Sequence, residues 1–388
     1  MYRIGIEEIE AVKKVIESKQ LFKVNRGELQ ETMNAEKELC EKLGSKYSLV
    51  MTSGHAALSS ALVALGVGPG DQVIIPAYTY IATAIAVIEA GAIPVIAEID
   101  KSLTLDPNDF EKKITKYTKA VIPVHIKGFP SDMEKICAIA KKHGIAVLED
   151  ACQADGASFK GKRLGTWGDA GAFSFNFFKI ITAGEGGAMV TNNRELFERG
   201  LIYHDSSAVA YFGDQLNGIQ TVPFCGTEFR VSEFTGAIMR EQLKKLDPIL
   251  ADLRRNKAYI MDKLSVKYKF ARSNDIEGDC GTSIPVRFDT AEEALAFAKK
   301  ATERGYFTLR PIDSDRHVYI TWKSIMEKRG AFNPAFDPFL MEANRDLNHN
   351  YSPDMCPKSL DHLSKVAYVS VPDGDQAALD AMVAALLD

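Results

Sequence analysis

The sequence predicts an α/β protein, with a mostly parallel central sheet in a large domain and a smaller α+β domain after it. The first observation is that apolar runs of strand length alternate with helix-length segments from residue 47 to residue 192. Parallel strands need helical crossovers of this kind. The second observation is that this alternation stops near Met239. The third is the length of 388 residues, which exceeds the usual size of a domain with a single hydrophobic core.

The elements of the large domain follow one another in the order that such a sheet needs. Each strand segment is rich in apolar residues and is bounded by turn-forming or polar residues. The predicted strands are 47–54, 71–79, 93–100, 120–125, 146–150, 170–175 and 186–192. The predicted helices between them are 55–66, 81–91, 107–114 and 131–144.

A long charged helix at 240–264 leads into the smaller domain. Pro248 is expected to break or bend it, because proline has no amide hydrogen to donate. We therefore predict a large domain at 1–245 and a small domain at 246–388. The predicted elements beyond the long helix are strands at 281–288 and 317–322 and helices at 292–305 and 376–387. The Pro- and Asn-rich segment 328–357 has no regular pattern, and loops of this length are usually functional or mobile.

Composition argues against several classes of protein. A formal net charge of -5 gives no general attraction to nucleic acid or to anionic membranes. The N-terminal segment is charged and lacks a signal-peptide core, and no apolar stretch approaches the length of a membrane span. The six cysteines are scattered without a C-x-x-C pair, which argues against a zinc site or a disulfide framework. We expect a cytoplasmic protein that binds no metal, nucleic acid or membrane.

Functional residues are expected at the carboxyl ends of the strands, where open α/β sheets bind their ligands. The residues that follow the predicted strands include a carboxylate, a tyrosine, an amide side chain, a hydroxyl, a lysine and the first amides of a helix. They are Asp150, Tyr80, Gln153, Ser174, Lys179, Gly54, His55 and Ala56. A charged, planar, phosphorylated aldehyde needs such a set, and pyridoxal 5′-phosphate is a cofactor of that kind.

Two of these residues are predicted to be catalytic. Lys179 lies between an apolar run and three glycines (Gly184, Gly186 and Gly187), and its primary amine can condense reversibly with an aldehyde to form a Schiff base. Asp150 can pair with the pyridine nitrogen and keep it protonated, so that the ring absorbs the electrons of a carbanion.

The other candidates are predicted to bind the cofactor. The helix-start amides can bind its phosphate, together with the hydroxyl of Ser174. Tyr80 can stack on the ring, and Gln153 can reach the phenolic oxygen. Each residue alone also has an ordinary structural explanation, such as helix capping for Asp150 or core packing for Tyr80. The prediction therefore depends on their order and on the strand ends that they share.

Five segments in this order resemble the DegT-type sugar aminotransferases, a branch of the aspartate-aminotransferase fold. They are SGHAALSSAL (53–62), PAYTYIATA (76–84), EDACQADGASFKGKRLGTWGD (149–169), FSFNFFKIITAGEGGAMVTNN (173–193) and FRVSE (229–233). The resemblance implies a fold-type I pyridoxal-phosphate enzyme in which Lys179 carries the cofactor and acts as the base. It also implies a homodimer whose active sites lie at the interface and share residues.

Two positions depart from the pattern of that family. His55 follows Ser-Gly where the family usually has threonine, so a side-chain contact to phosphate is replaced or lost. Glu228 takes the place of an asparagine that crosses the dimer to the phosphate, and an ionised glutamate offers only acceptors there. We expect Glu228 to weaken the hold on the cofactor; the alternative is that it lies outside the site in a solvated loop. Arg230 would point to the other side of an extended strand, which makes it a poor partner for Glu228.

The resemblance implies an aminotransferase that takes its amino group from glutamate or glutamine. The expected acceptor is a carbonyl of a nucleotide-linked keto sugar. An octulosonate aminated at carbon 8 and a cyclitol ketone are the alternatives. Some relatives replace the lysine with histidine and dehydrate sugars, and Lys179 argues against that reaction. A cofactor-binding regulator without turnover is a remote alternative.

Overall fold

The computed structural model describes residues 3–24, 27–206 and 219–388. Its main sheet has seven strands in the spatial order β1-β9-β8-β5-β4-β2-β3. They are β1 (Tyr47–Met51), β2 (Gln72–Pro76), β3 (Ile93–Ala97), β4 (Thr118–Val121), β5 (Ala146–Asp150), β8 (Ala170–Ser174) and β9 (Gly187–Thr191). Only β9 runs against the other six, since it pairs antiparallel with both β1 and β8. The predicted α/β class with a mostly parallel sheet is confirmed.

Helices cover both faces of this sheet. Those of the described residues are α1 (Ile6–Ser18), α2 (Glu31–Leu43), α3 (Gly54–Ala64), α4 (Ala82–Glu89), α5 (Pro107–Lys113), α6 (Met133–His143), α7 (Arg194–His204), α8 (Glu233–Leu264), α9 (Ala291–Glu303), α10 (Lys323–Met326), α11 (Pro357–Ser364) and α12 (Gln376–Leu387). Successive strand residues alternate between two cores: Ile74 and Val147 pack in one, and Ile75 and Leu148 in the other. A strand buried on both faces explains why these segments read as unbroken apolar runs.

A second, four-stranded antiparallel sheet lies in the C-terminal part of the chain. Its strands, in spatial order, are β10 (Lys269–Phe270), β11 (Ser283–Arg287), β13 (Val366–Ser370) and β12 (Thr308–Leu309). A small antiparallel pair, β6 (Ser158–Phe159) and β7 (Lys162–Arg163), completes the strands of the described residues. Among these residues, no helix has both the length and the apolar character to cross a membrane.

The helix α8 joins the two sheets without interruption. It continues through Pro248, so the predicted break at that residue is wrong. Buried apolar residues on either side, Leu246 and Ile249, pack into the first core and hold the helix together where one backbone hydrogen bond is missing. The boundary expected between residues 245 and 246 falls within this helix, and the division into two domains stays a prediction.

The segment 317–322 is not the strand that its composition predicts. A single bridge joins Val318 to Tyr78, and a short 3-10 helix (Tyr319–Thr321) follows. The amide of Thr79 donates to the carbonyl of His317, and the amide of Tyr319 donates to the carbonyl of Ala77. These bonds lay the segment along the loop that follows β2, and so place it at the carboxyl end of the main sheet.

The irregular segment 328–357 contains two short 3-10 helices (Pro334–Phe336 and Glu342–Asn344). The buried side chain of Asn344 fixes it: Oδ1 accepts from the amide of Gly70, and Nδ2 donates to the carbonyl of Gly91. Both glycines precede strands of the main sheet. This part of the segment therefore lies at the amino edge of the sheet, opposite the strand ends where ligands are expected.

Candidate active site

The turn between β1 and α3 presents two unused backbone donors. Ser53 caps the helix, with Oγ accepting from the amide of Ala56 at 3.0 Å. The amides of Gly54 and His55 make no hydrogen bond within the described residues. The side chain of His55 points away from the turn, since its Nε2 lies 2.8 Å from Oε2 of Glu89. Of the predicted helix-start donors, Gly54 and His55 are therefore available to an anion and Ala56 is engaged.

The strand β9 passes directly against this turn. A β-carbon added at Gly187 would lie 2.3 Å from the carbonyl carbon and oxygen of Ser53 and 2.5 Å from the nitrogen of Gly54. A β-carbon added at Gly54 would lie 2.8 Å from Cβ of Ser174, the last residue of β8. Ser174 therefore lies beside the free amides, and glycine is required for the close approach of the two backbones.

Lys179 lies in the loop between β8 and β9. Its amide donates to the carbonyl of Asn176, and the loop closes where the amide of Phe177 donates to the carbonyl of Gly184, which has φ +84°. The side chain of Lys179 is half-buried, and its Nζ has no hydrogen bond or ion pair in the part of the chain that the structure describes. An amine in this setting is available for chemistry.

Asp150 ends β5 with its carboxylate buried and held on both oxygens. Oδ2 accepts from Oγ1 of Thr83 at 2.7 Å, and Oδ1 accepts from the amide of Cys152 at 3.1 Å. Thr83 is in turn 2.7 Å from Oγ1 of Thr79. Burial and the charge on Asp150 raise the pKa of the Cys152 thiol well above its ordinary value. The carboxylate is therefore fixed in position at the strand end, with a thiol beside it that stays neutral.

Gln153 and Tyr80 border the same edge. Oε1 of Gln153 accepts from the amide of Lys127 at 2.9 Å, so its side-chain NH2 still has donors for a ligand. Tyr80 is 44% exposed, and its ring centroid lies 5.4 Å from that of His317. Nδ1 of His317 lies 2.7 Å from Oγ of Ser314. The aromatic ring expected on the cofactor thus packs on an imidazole.

Burial and the two lysines at this edge shift the pKa values of two neighbouring side chains. Burial, together with the charges on Lys127 and Lys179, lowers the pKa of His317 to about 4, so the imidazole is neutral at pH 7. Asp155 is buried, and neither of its oxygens has a hydrogen-bond partner among the described residues. Burial raises the pKa of Asp155 well above its ordinary value, and the charge of Lys179 offsets only part of that increase.

The side chain of Glu228 contacts a residue of its own chain. Its carboxylate bonds to Arg230: Oε1 accepts from the backbone amide at 2.8 Å, and Oε2 lies 2.8 Å from the guanidinium. The expectation that Arg230 is a poor partner is therefore wrong. The side chain folds back over its own backbone, and the alternation of an extended strand does not apply. The same guanidinium contacts Asp205, which pairs with Glu228 through a backbone bridge.

Eight of the nine predicted site residues end or follow β1, β2, β5 or β8 and therefore share the carboxyl edge of the main sheet. Glu228 forms a bridge with Asp205 after α7, and the carbonyl of the next residue, Phe229, accepts from the amide of Thr52 after β1. Sequence reasoning missed Thr83, Lys127, Asp155 and His317. The sequence does indicate Thr83, because it follows Thr79 by four residues at the start of a helix, a spacing that brings two side chains together. The placement of His317 had no such signal, because its segment resembles a strand.

Known proteins resemble this chain in sequence and in fold. The chain is 38% identical over 231 residues to GDP-perosamine synthase of Caulobacter vibrioides, covering 59% of this chain and 61% of that protein. It is 39% identical over 232 residues to L-glutamine:2-deoxy-scyllo-inosose aminotransferase of Streptomyces kanamyceticus, covering 57% and 53%. The match thus spans a little over half of each relative. An aminotransferase structure from Psychrobacter cryohalolentis superimposes with a TM-score of 0.82 at 27% identity, covering 100% of this chain and 97% of that one.

A family model matches residues 3–290, which include the main sheet, the nine predicted site residues and part of the smaller sheet. The chain therefore belongs to the DegT/DnrJ/EryC1/StrS aminotransferase family, whose aminotransferases use pyridoxal 5′-phosphate.

Proposed function

We propose that the protein is an aminotransferase that moves an amino group from glutamate or glutamine to a carbonyl of a sugar or cyclitol. One observation carries the proposal: a lysine amine without a partner, a buried carboxylate and free helix-start amides share one edge of the sheet. The relatives support the acceptor class, since one is named for a GDP-linked sugar and another for a cyclitol and L-glutamine.

The residues present fit pyridoxal 5′-phosphate. The amides of Gly54 and His55 and the hydroxyl of Ser174 would bind its phosphate, because a helix N-terminus and free donors favour an anion. Asp150 would bind the pyridine nitrogen. The side-chain NH2 of Gln153 would donate to the phenolic oxygen. The bound cofactor would supply an electron sink for the carbon that carries the amino group.

The chain's own groups then have separate tasks. Nζ of Lys179 would hold the cofactor, remove the proton from the α-carbon of the donor, and return a proton to the acceptor carbon in the second half of the reaction. Thr83 keeps Asp150 oriented, because its hydroxyl donates to one carboxylate oxygen. The ring of Tyr80 would lie on a cofactor face, with the neutral His317 behind it.

We also propose that the protein is a cytoplasmic homodimer with shared active sites. Three aromatic side chains near the site are strongly exposed: Tyr80 (44%), Phe177 (48%) and Phe178 (78%). An apolar rim of this kind is typical of an interface, and a second subunit would cover it. All six cysteines are free thiols, which is consistent with a reducing compartment.

Borohydride reduction tests the central assignment. The purified protein should be yellow, and glutamate or glutamine should bleach it. Reduction of the yellow form should fix the cofactor on the peptide that contains Lys179. The Lys179→Ala variant should bind cofactor without a covalent bond and lose nearly all turnover. Covalent cofactor on another lysine would contradict the assignment, and a colourless protein that binds no cofactor would contradict the proposed function.

An acceptor screen tests the second half of the proposal. Donor-treated protein is mixed separately with nucleotide-linked keto sugars and with cyclitol ketones, and mass spectrometry detects the aminated product. An octulosonate aldehyde is included as the alternative acceptor. We expect a product in the first two groups. Amination of the octulosonate alone would move the substrate to that class.

A further inference from the structure

Lys127 is held in one position beside the candidate site. It follows β4, and its backbone amide donates to Oε1 of Gln153 at 2.9 Å. Its carbonyl accepts from Oγ1 of Thr282 at 2.9 Å, and its Nζ lies 5.9 Å from the centroid of the Tyr368 ring. Two hydrogen bonds therefore hold the backbone of this residue, and its ammonium lies on the side of the buried Tyr368 ring.

The backbone of Lys127 adopts an unfavourable conformation. Its φ is +55° and its ψ is 18°, in the left-handed region that glycine adopts most readily. A residue with a β-carbon is destabilised there, and such outliers often mark functional sites. The neighbouring Gly128 also has positive φ, but a β-carbon there would lie 2.5 Å from Cβ of Cys280. At position 128 the fold demands glycine, whereas at 127 a long cation is present instead.

The ammonium of Lys127 has no anionic partner. Over residues 3–24, 27–206 and 219–388, its Nζ makes neither an ion pair nor a hydrogen bond. Burial lowers the pKa of Lys127, and the charge on Lys179 lowers it further. Lys127 also contributes to the lowered pKa of His317. Two half-buried lysines that repel each other would be stabilised by an anion that binds beside them.

The chemistry of the proposed reaction indicates which anion this is. In an amino acid donor, the α-carboxylate is bonded directly to the carbon from which Lys179 removes the proton. The anionic groups of a nucleotide-linked sugar lie several bonds from the reacting carbonyl. We propose that Lys127 binds the α-carboxylate of the amino donor and thereby selects an amino acid for the first half of the reaction. This inference rests on the aminotransferase function proposed above.

Binding of glutarate, a dicarboxylate that cannot react, tests the proposal without turnover. Calorimetry on the cofactor-loaded protein should show a dissociation constant that is about 10- to 100-fold higher in Lys127→Met, because one charge-assisted contact is lost. Lys127→Gly should show the same loss, and it suits the positive φ, so misfolding cannot explain the result. Lys127→Arg should retain part of the affinity. Lys119→Met, an exposed lysine of β4, is the matched control and should bind as the wild type does.

Three results would overturn the proposal. If glutarate binds equally well to wild type, Lys127→Met and Lys127→Gly, Lys127 does not bind the carboxylate. If the apo-forms of the Lys127 variants lose cofactor affinity to the same extent, the ammonium binds the cofactor instead. A defect confined to the half-reaction with the acceptor assigns it to the acceptor. An incorrect aminotransferase assignment can be distinguished from an incorrect role for Lys127, because the wild-type protein itself would then not bleach with glutamate or glutamine.

Discussion

Gly187→Ala is predicted to damage the site by steric displacement alone. The added β-carbon would lie 2.3 Å from the carbonyl carbon and oxygen of Ser53 and 2.5 Å from the nitrogen of Gly54. These are backbone atoms in the turn between β1 and α3, and they cannot rotate away as the tip of a side chain could. Either β9 or the turn must move. The turn carries the two free amides that are proposed to bind phosphate.

The size of the effect follows from comparison with the two neighbouring glycines. At Gly187, overlap with backbone should cost about 3 kcal/mol or more of stability, at the upper end of overpacking effects. Gly184 has φ +84° with no atom within 4 Å of an added β-carbon, so Gly184→Ala should cost about 1–2 kcal/mol from backbone strain alone. The nearest atoms to an added β-carbon at Gly186 are 3.5 Å away, so Gly186→Ala should change stability by less than about 1 kcal/mol.

Two measurements on the three variants check this ranking. The apparent melting temperature of the apo-protein should fall most in Gly187→Ala, less in Gly184→Ala and hardly at all in Gly186→Ala. Titration with pyridoxal 5′-phosphate should show at least about tenfold weaker binding only in Gly187→Ala, because only that change displaces helix-start amides. The reasoning is refuted if Gly187→Ala binds and melts like wild type, or if Gly186→Ala is equally damaged.

Three further predictions concern charges and assembly. Asp150→Ala should still take up cofactor through Lys179 but transaminate orders of magnitude more slowly; near-wild-type rates at saturating donor would reduce Asp150 to a structural role. Because Arg230 engages the carboxylate of Glu228, Glu228→Asn should change cofactor affinity less than about threefold from pH 6 to pH 9; tighter binding that grows with pH would return Glu228 to the phosphate site. Sedimentation at assay concentration should show a dimer, and an active monomer would contradict shared active sites.

The sequence alone determined the main sheet and the positions of its reactive groups. Strands buried on both faces must be apolar throughout, and each helical crossover must be long enough to reach the start of the next parallel strand. Both features therefore appear as local patterns in the sequence. Once the sheet is parallel, residues that follow its strands share one edge. This is why Lys179, Asp150, Ser174 and Gly54 could be assigned to one site before any distance was known.

The tertiary structure decided which groups those residues contact. Asp150 bonds to Thr83 across 67 positions, and His317 reaches Tyr80 from the C-terminal part of the chain. The segment 317–322 has the composition of a strand, yet its backbone bonds to the loop after β2. Hydrogen-bond partners are chosen among neighbours brought together by folding, and no local pattern records that choice. The positive φ of Lys127 and its position against Gln153 were decided in the same way.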